Sequence, residues 1–562
     1  MFSRRDFLQV TAAAAALTGA PGQLARAAAR QAISQDDLLR FDALGQVTLL
    51  HMTDLHAQLM PIYFREPSIN VGVGAARGLP PHLTGKALLD AFAIPADTPE
   101  AYALSSEDFT ALAKTYGRVG GLDRLATLVR AIRAERPENT LFLDGGDTWQ
   151  GSYTSLASTG GDMVEVMNVL GPDAMTAHWE FTYGTDRVKE LVDQLSFPFL
   201  AGNVRDTEWD EEVFEATATF ERGGVKIAVI GQAFPYTPVA NPRYLIPTWS
   251  FGIQESLIAE RVAAARADGA ELVVLLSHNG FDVDRKLAAR VDGIDVILTG
   301  HTHDALPAAV TVNKTLLIAS GSHGKFLSRL DLEIKDGAVA DYRYRLIPIL
   351  TDAIAPDPEI AALVEKIRAP HAAELSRVLG QSESLLYRRG NFNGTFDDLI
   401  CQALLQERDA QIALSPGFRW GATLLPGQDI TVEDVYNQTA ITYANTYRNE
   451  FTGTFLKEVL EDVADNLFNP DPYYQQGGDM VRVGGLGYTI DIGKPIGQRI
   501  SDLTLLADGS RIEAEKNYVV AGWASVNEGT DGPPVYDLVS RYIEAQKVIR
   551  IDDKPAIKVL GA

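Results

Sequence analysis

Cysteine is almost absent: Cys401 is the only one among 562 residues, so no disulfide can close within the chain. A chain of this length buries enough apolar surface to fold without cross-links, even in an oxidising compartment. Cys401 follows Leu399 and Ile400 in a helix-like run opening at Thr395. With no base motif beside it, it reads as a small core residue rather than a nucleophile. Positive charge is also scarce. Against 74 Asp and Glu stand 50 Lys and Arg, a formal net charge of −24. That excludes a general affinity for nucleic acid or anionic membrane, while leaving room for a local basic pocket. Long apolar runs are missing too. The Ala-rich stretch from Val10 to Ala20 is too short to cross a bilayer, and no later segment does better. Paired Arg4 and Arg5 precede that stretch, and Ala25-Arg26-Ala27 follows as a small-residue cleavage site. This is the layout of a twin-arginine export signal over residues 1–30, and the expected location is the bacterial periplasm.

What the chain does contain is a regular alternation. From about residue 40 to 352, strand-like apolar runs (Val225 to Ile230, Leu272 to Leu276, Val296 to Leu298, Thr315 to Ala319) alternate with stretches of helical spacing such as Asp123 to Arg133 and Ile253 to Ala267. The alternation predicts a layered α/β sandwich. Residues 58–117, with a Gly-rich segment from Gly72 to Gly85 and several prolines, interrupt the rhythm and read as a surface insertion near the site entrance. A charged helical stretch opening at Pro356 marks a linker over 353–380, and a second α/β domain is expected over 381–562.

The nine histidines are the most informative count. His56, His178, His278, His301 and His303 sit in polar motifs that follow apolar runs, with Asp54 and Asp147 in the same kind of position. Carboxylates and imidazoles at the carboxyl ends of buried strands are where an open α/β sheet places its active site, and neutral imidazole suits divalent transition metals. His301 and His303 stand at i and i+2, so an extended segment would point them apart; a bent loop is needed to aim both at one site. His323, in Gly321-Ser322-His323-Gly324-Lys325, is a further residue that could line the pocket.

Asp54-x-His56, Gly146-Asp147-x-x-x-Gly151, Ala177-His178-Trp179-Glu180, Ser277-His278 and Gly300-His301-Thr302-His303 occur in that order. The series resembles the calcineurin-like metallophosphoesterases, and the 5′-nucleotidase branch in particular. The resemblance implies an N-terminal sandwich domain with two metals and a C-terminal nucleotidase-type domain. Asp54, His56, Asp147 and His303 would hold one divalent metal, and Asp147, His178, His278 and His301 the other, with Asp147 bridging and manganese the expected ion. Arg419 lies where that branch has a substrate arginine. Three departures are informative. Trp179 stands in place of the nucleotidases' catalytic His, His178 replaces their ligand Asn, and the position of their base-stacking Phe falls near Ser525. Together with the long segment after His56, these resemble the thiosulfohydrolases of bacterial thiosulfate oxidation. That resemblance implies hydrolysis of a sulfonate on a cysteine of the SoxYZ carrier protein, with Asp147, Trp179 and Arg419 at the reacting group. The alternatives are a periplasmic phosphoesterase of nucleotidase type and a non-enzymatic metal-binding module; seven ligand-type residues and an arginine are more than adhesion needs.

Overall fold

The computed structural model describes residues 33–527, 530–552 and 556–561, so the export-signal reading lies outside the described residues. Eleven strands form the two main sheets of the first domain: β1 (Val47–Met52), β2 (Thr140–Asp144), β3 (Ala174–Met175), β4 (Thr217–Arg222), β5 (Val225–Gln232), β6 (Leu272–Ser277), β7 (Val296–Thr299), β8 (Val310–Val312), β9 (Thr315–Ala319), β10 (Phe326–Lys335) and β11 (Ala338–Pro348). They make two mixed sheets, ordered β11-β10-β1-β2-β3 and β8-β9-β7-β6-β5-β4. β1, β2 and β3 are parallel neighbours in the first sheet, and β5, β6 and β7 in the second.

The period of two along these strands explains the layers. Val47 and Leu49, Leu141 and Leu143, Ile227 and Val229, Val274 and Leu276 all enter one core between the sheets. The residues between them turn outward. Leu50, Met52 and Phe142 pack under helices Leu122–Glu135 and Gly161–Leu170, and Ile230, Val273 and Leu275 under Glu255–Ala267 and Phe281–Ala288. Helix, sheet, sheet and helix stack in four layers, the layered sandwich that the alternation predicts. Strands covered on both faces read as unbroken apolar runs, as these do. Burying each such Leu or Val contributes about 1.5–3 kcal/mol.

Residues 58–117 divide between surface and core: 74–79 are largely exposed, and Asn70, Val71, Pro81 and His82 line a pocket with His301 and Arg419, as an insertion at the site entrance would, while much of the remainder is buried. The stretch forms three helices, Gly85–Ala91, Pro99–Leu104 and Phe109–Tyr116, and Tyr102, Phe109, Leu112 and Tyr116 are buried in the core beneath the first sheet. Ile69 and Val71 pack on a core of the second domain. Glycines and prolines punctuate this stretch, but the apolar residues between them lie at helical spacing and decide its burial.

Helix Pro358–Arg368, capped by the Asp357 carboxylate accepting from Glu359 and Ile360 N–H, seats Ile360 and Val364 in the first domain's core. The second domain has a four-stranded sheet ordered Thr446–Thr452, Asn517–Trp523, Ile412–Ser415, Arg482–Gly484. Helices Thr395–Glu407 and Val535–Gln546 pack against each other and share a core with this sheet. Cys401, on the first of these helices, is buried, and burial holds its thiol well above the usual value, so it is an inert core residue. Among the described residues no helix is long and apolar enough to cross a membrane.

Candidate metal centre

The polar motifs converge at one end of the sandwich. Asp54 and His56 follow β1, Asp147 follows β2, His178 follows β3, His278 follows β6, and His301 and His303 follow β7. Each loop must reverse sharply to aim its side chains back at the strand ends. The backbone does so in the left-handed region at Asp54 (φ 54°), His56 (48°), Asp147 (56°), His301 (72°) and His303 (57°). The loops are knitted together by their own backbone, with Asp54 N–H donating to Gly146 O and His56 N–H to Asp147 O, both at 2.8 Å. Gly300 is required by close approach: a Cβ there would lie 2.5 Å from Thr53 Oγ1 and 2.8 Å from His278 Nδ1.

Two clusters result, Asp54–His56–Asp147–His303 and Asp147–His178–His278–His301, each with its candidate ligand atoms within 4.8 Å of one another. All seven residues are buried, and Asp147 belongs to both clusters. Asp147 Oδ2 stands 3.1 Å from His178 Nδ1 and from His278 Nε2 and 3.7 Å from His56 Nε2. His303 Nε2 is 3.2 Å from Asp54 Oδ1 and 3.1 Å from His56 Nε2.

The hydrogen bonds fix which nitrogens carry lone pairs. His278 Nδ1 faces Gly145 O at 2.6 Å and must donate, leaving Nε2 for the cluster. His301 Nε2 faces Gln476 O at 2.9 Å and must donate, leaving Nδ1 as an acceptor that is buried without a partner. An orphaned imidazole lone pair in a buried cluster with a carboxylate is what a bound cation would satisfy. Two carboxylates and five imidazoles without thiolate fit a pair of divalent first-row ions such as manganese, zinc or iron. Burial holds His56, His301 and His303 below the usual imidazole value and His178 down to about 4, so these rings are neutral, as ligands must be. His278 is the exception. Burial would lower it, but Asp147 and Asp54 push it up to about 10. Burial also pushes Asp54 up. These two sites hold protons that a metal would displace.

The chain is 37% identical to the sulfate thiohydrolase SoxB of Thermus thermophilus, with 93% of this chain and 98% of that one covered at a TM-score of 0.90. Residues 47–305 match the calcineurin-like phosphoesterase family and 378–539 the 5′-nucleotidase C-terminal domain. The chain belongs to the 5′-nucleotidase/calcineurin-like metallophosphoesterase superfamily. Mouse 5′-nucleotidase is 25% identical over 506 residues, 79% of this chain and 86% of the mouse protein. A 5′-nucleotidase precursor from Thermus thermophilus, at 22% identity and a TM-score of 0.72 over 92% of this chain and all (100%) of its own, shares the fold. As a member of this superfamily the protein is a hydrolase, and its two candidate clusters are consistent with a site for two metals.

The other predicted site residues lie on the same cavity of about 190 Å³, whose wall includes Trp179, Phe234, Phe418, Arg419, Trp420 and Asp479. Trp179 N–H donates to Asp147 Oδ1 at 2.7 Å, and its ring stands edge-on to Phe418 and Trp420 at 5.5 and 5.3 Å. Arg419 reaches the wall with its guanidinium already engaged: Nε to Asp479 Oδ1 at 3.4 Å, Nη1 to Thr302 O at 3.2 Å, and Nη2 to Gly478 O. His323 stays outside both clusters. It accepts from Gly421 N–H at 3.1 Å through Nε2 and so ties the Asp54 loop, whose carbonyl accepts from His323 N–H, to the second domain.

Some contributors had no assigned role in the sequence. Glu180 is fully buried, and its carboxylate accepts from four backbone N–H groups: Thr148 (2.6 Å) and Trp149 (3.1 Å) through Oε1, His178 (2.7 Å) and Asp147 (3.3 Å) through Oε2. It fastens the β2 loop to the β3 loop, and its place two residues after His178 was the available signal. Phe234 stacks on His301 at 4.0 Å, and Gly477 packs on the same ring, where a Cβ would come within 2.3 Å of Nε2. Phe234 carries no local motif, whereas Gly477 belongs to the Gly477-Gly478 pair, a visible signal without an assigned role.

Proposed function

We propose that this protein hydrolyses a sulfonate from a cysteine of the SoxYZ carrier, releasing sulfate, in the periplasm. The observation that carries the reading is Trp179. Where the nucleotidase motif has a catalytic His, this chain places an indole packed among Phe418 and Trp420, so the cavity wall has no acid–base side chain at that position. An alkoxide leaving group needs a proton donor, whereas a sulfur anion is far less basic and departs unprotonated. The balanced reaction is R–S–SO₃⁻ + OH⁻ → R–S⁻ + HSO₄⁻, in which the S–S bond breaks, an S–O bond forms, and the hydrogensulfate then loses its proton to water. When bound, the two metals supply Lewis acidity and lower the pKa of water.

The chain's own residues supply placement. Asp147 joins the two clusters. Glu180 orients Asp147 and His178 through their backbones. The rings of Trp179, Phe418 and Trp420 keep bulk water from the reacting sulfur. Three of the five N–H groups of Arg419 are engaged, leaving two for sulfonate oxygens. Ser525 lines a separate groove with Tyr244 and Tyr443, so nothing at that position clamps a base over this cavity. The likeness to SoxB supports the same reading.

The nucleotidase relatives make phosphomonoester hydrolysis the competing activity. Manganese-loaded protein is given either a carrier bearing a cysteine-linked sulfonate or AMP. Sulfate release with little phosphate release is expected. Phosphate from AMP with no sulfate from the carrier refutes the proposal.

A further inference from the structure

Apart from the candidate ligands, the cavity wall carries one cation and one anion, and they are paired. Asp479 is buried, with Oδ1 3.4 Å from Arg419 Nε and Oδ2 3.1 Å from Arg482 Nη2. Behind it the alternation continues, Arg482 Nε to Asp397 Oδ2 at 3.2 Å and Asp397 Oδ1 to Arg388 Nε at 3.0 Å. Arg388 and Arg482 share Asp397, so the excess positive charge of this chain of groups sits one layer back from the cavity. Arg389, which donates to Thr302 O at 2.9 Å, does not line it. Burial would raise the Asp479 carboxyl, but Arg419, Arg482 and Arg389 outweigh it and hold it below the usual value, so it is ionised. Apart from the candidate ligands, the wall therefore offers an incoming anion hydrogen-bond donors, while the charges of Arg419 and Asp479 cancel.

We propose that Asp479 is a specificity-determining residue: paired with Arg419 on the cavity wall, it sets the site for a tetrahedral anion of one charge over one of two charges. The inference rests on the sulfonate reading above. A sulfonate on sulfur carries one negative charge. A phosphomonoester, whose second ionisation lies near pH 6, carries about two at pH 8. Free sulfate also carries two. The second charge gains attraction from Arg419 but meets a nearly equal repulsion from the carboxylate beside it, in a site where water screens little. The same repulsion keeps the hold on the sulfate product weak.

The test is a binding measurement that needs no carrier. Metal-loaded wild type and Asp479→Asn are titrated by calorimetry at pH 8 with methanesulfonate, which has one charge, and with inorganic sulfate, which has two. The variant is expected to gain about tenfold in sulfate affinity relative to methanesulfonate, about 1.4 kcal/mol. Asp479→Glu keeps the charge and should keep the wild-type ratio. An unchanged ratio in Asp479→Asn, or an equal loss for both anions, makes Asp479 a purely structural member of the network and overturns the proposal. If loss of its partner leaves Arg482 unable to pack, Asp479→Asn combined with Arg482→Met removes both charges and should shift the ratio in the same direction. A shifted ratio in a protein that releases no sulfate from the carrier would sink the reaction assignment and leave the role of Asp479 standing.

Discussion

Glu180→Gln is the sharpest probe of how the metal loops are held. The two carboxylate oxygens each accept from two backbone N–H groups, and the four donors span both the β2 and β3 loops. Replacing one oxygen by NH₂ turns a donor toward two donors, whichever way the amide is flipped. Two hydrogen bonds to an anionic acceptor are lost, at about 1.5–3 kcal/mol each, so the cost is about 3–6 kcal/mol. That is a large share of a domain's usual 5–15 kcal/mol, roughly. Burial and the neighbouring Asp147 raise the Glu180 carboxyl above its ordinary value, so the comparison belongs at pH 8 rather than in acid. Urea unfolding should show a midpoint lowered at constant slope. Metal analysis of the folded variant should give fewer ions per chain than wild type, because the backbones of Asp147 and His178 are no longer fixed. Stability within about 0.5 kcal/mol of wild type, the range of an ordinary surface substitution, together with full metal content, would refute the view that this carboxylate organises the loops.

Asp147→Asn should abolish activity and empty at least one metal position, since Asp147 alone belongs to both clusters; full occupancy by metal analysis would show that the bridging role is misassigned. Trp179→His should not speed sulfate release at any pH, whereas Arg419→Ala should slow it by roughly tenfold to more than a hundredfold, the equivalent of a 1.5–3 kcal/mol contact; a gain for Trp179→His that grows below pH 6.5, roughly the imidazole pKa, would mean that the leaving group needs a proton. Metal affinity should rise with pH up to about 10, because Asp54, raised to about 8, and His278, raised to about 10, must each give up a proton to bind. Calorimetry in buffers of different ionisation enthalpy should detect protons released on binding, and an affinity independent of pH would contradict that assignment.

The ligand-type residues were legible because each stands where a buried strand gives way to a polar loop, a change visible within a few residues of sequence. The layers were legible for the same reason: the apolar runs of β5, β6 and β7 and the helical spacing of the stretches between them are local. What was not legible depends on pairs far apart in the chain. Arg419 could be placed by its motif, but its ion pair with Asp479, 60 residues later, could not, and that pair changes what the arginine can offer an anion. The burial of the helical part of 58–117 was not legible, because its glycines and prolines are conspicuous, while the core that receives Tyr102 and Phe109 is assembled from distant helices. Glu180 was visible as a letter but not as a fastener, since its partners are backbone groups of another loop.

Five of the seven candidate ligands sit on a left-handed backbone that only glycine adopts freely. Asp and His tolerate it better than most residues, yet strain of this kind costs roughly 1–3 kcal/mol per residue. The fold carries that strain before any ion arrives, much as a macrocyclic chelator is synthesised with its donors already facing inward. A flexible ligand set takes whichever ion binds most strongly, which for nitrogen and oxygen donors means copper and zinc ahead of manganese. A rigid one rejects ions that would need its donors to move. In a cage set by the strand ends, ionic radius and preferred geometry can therefore outweigh intrinsic affinity, and a weakly binding ion such as manganese can keep its place.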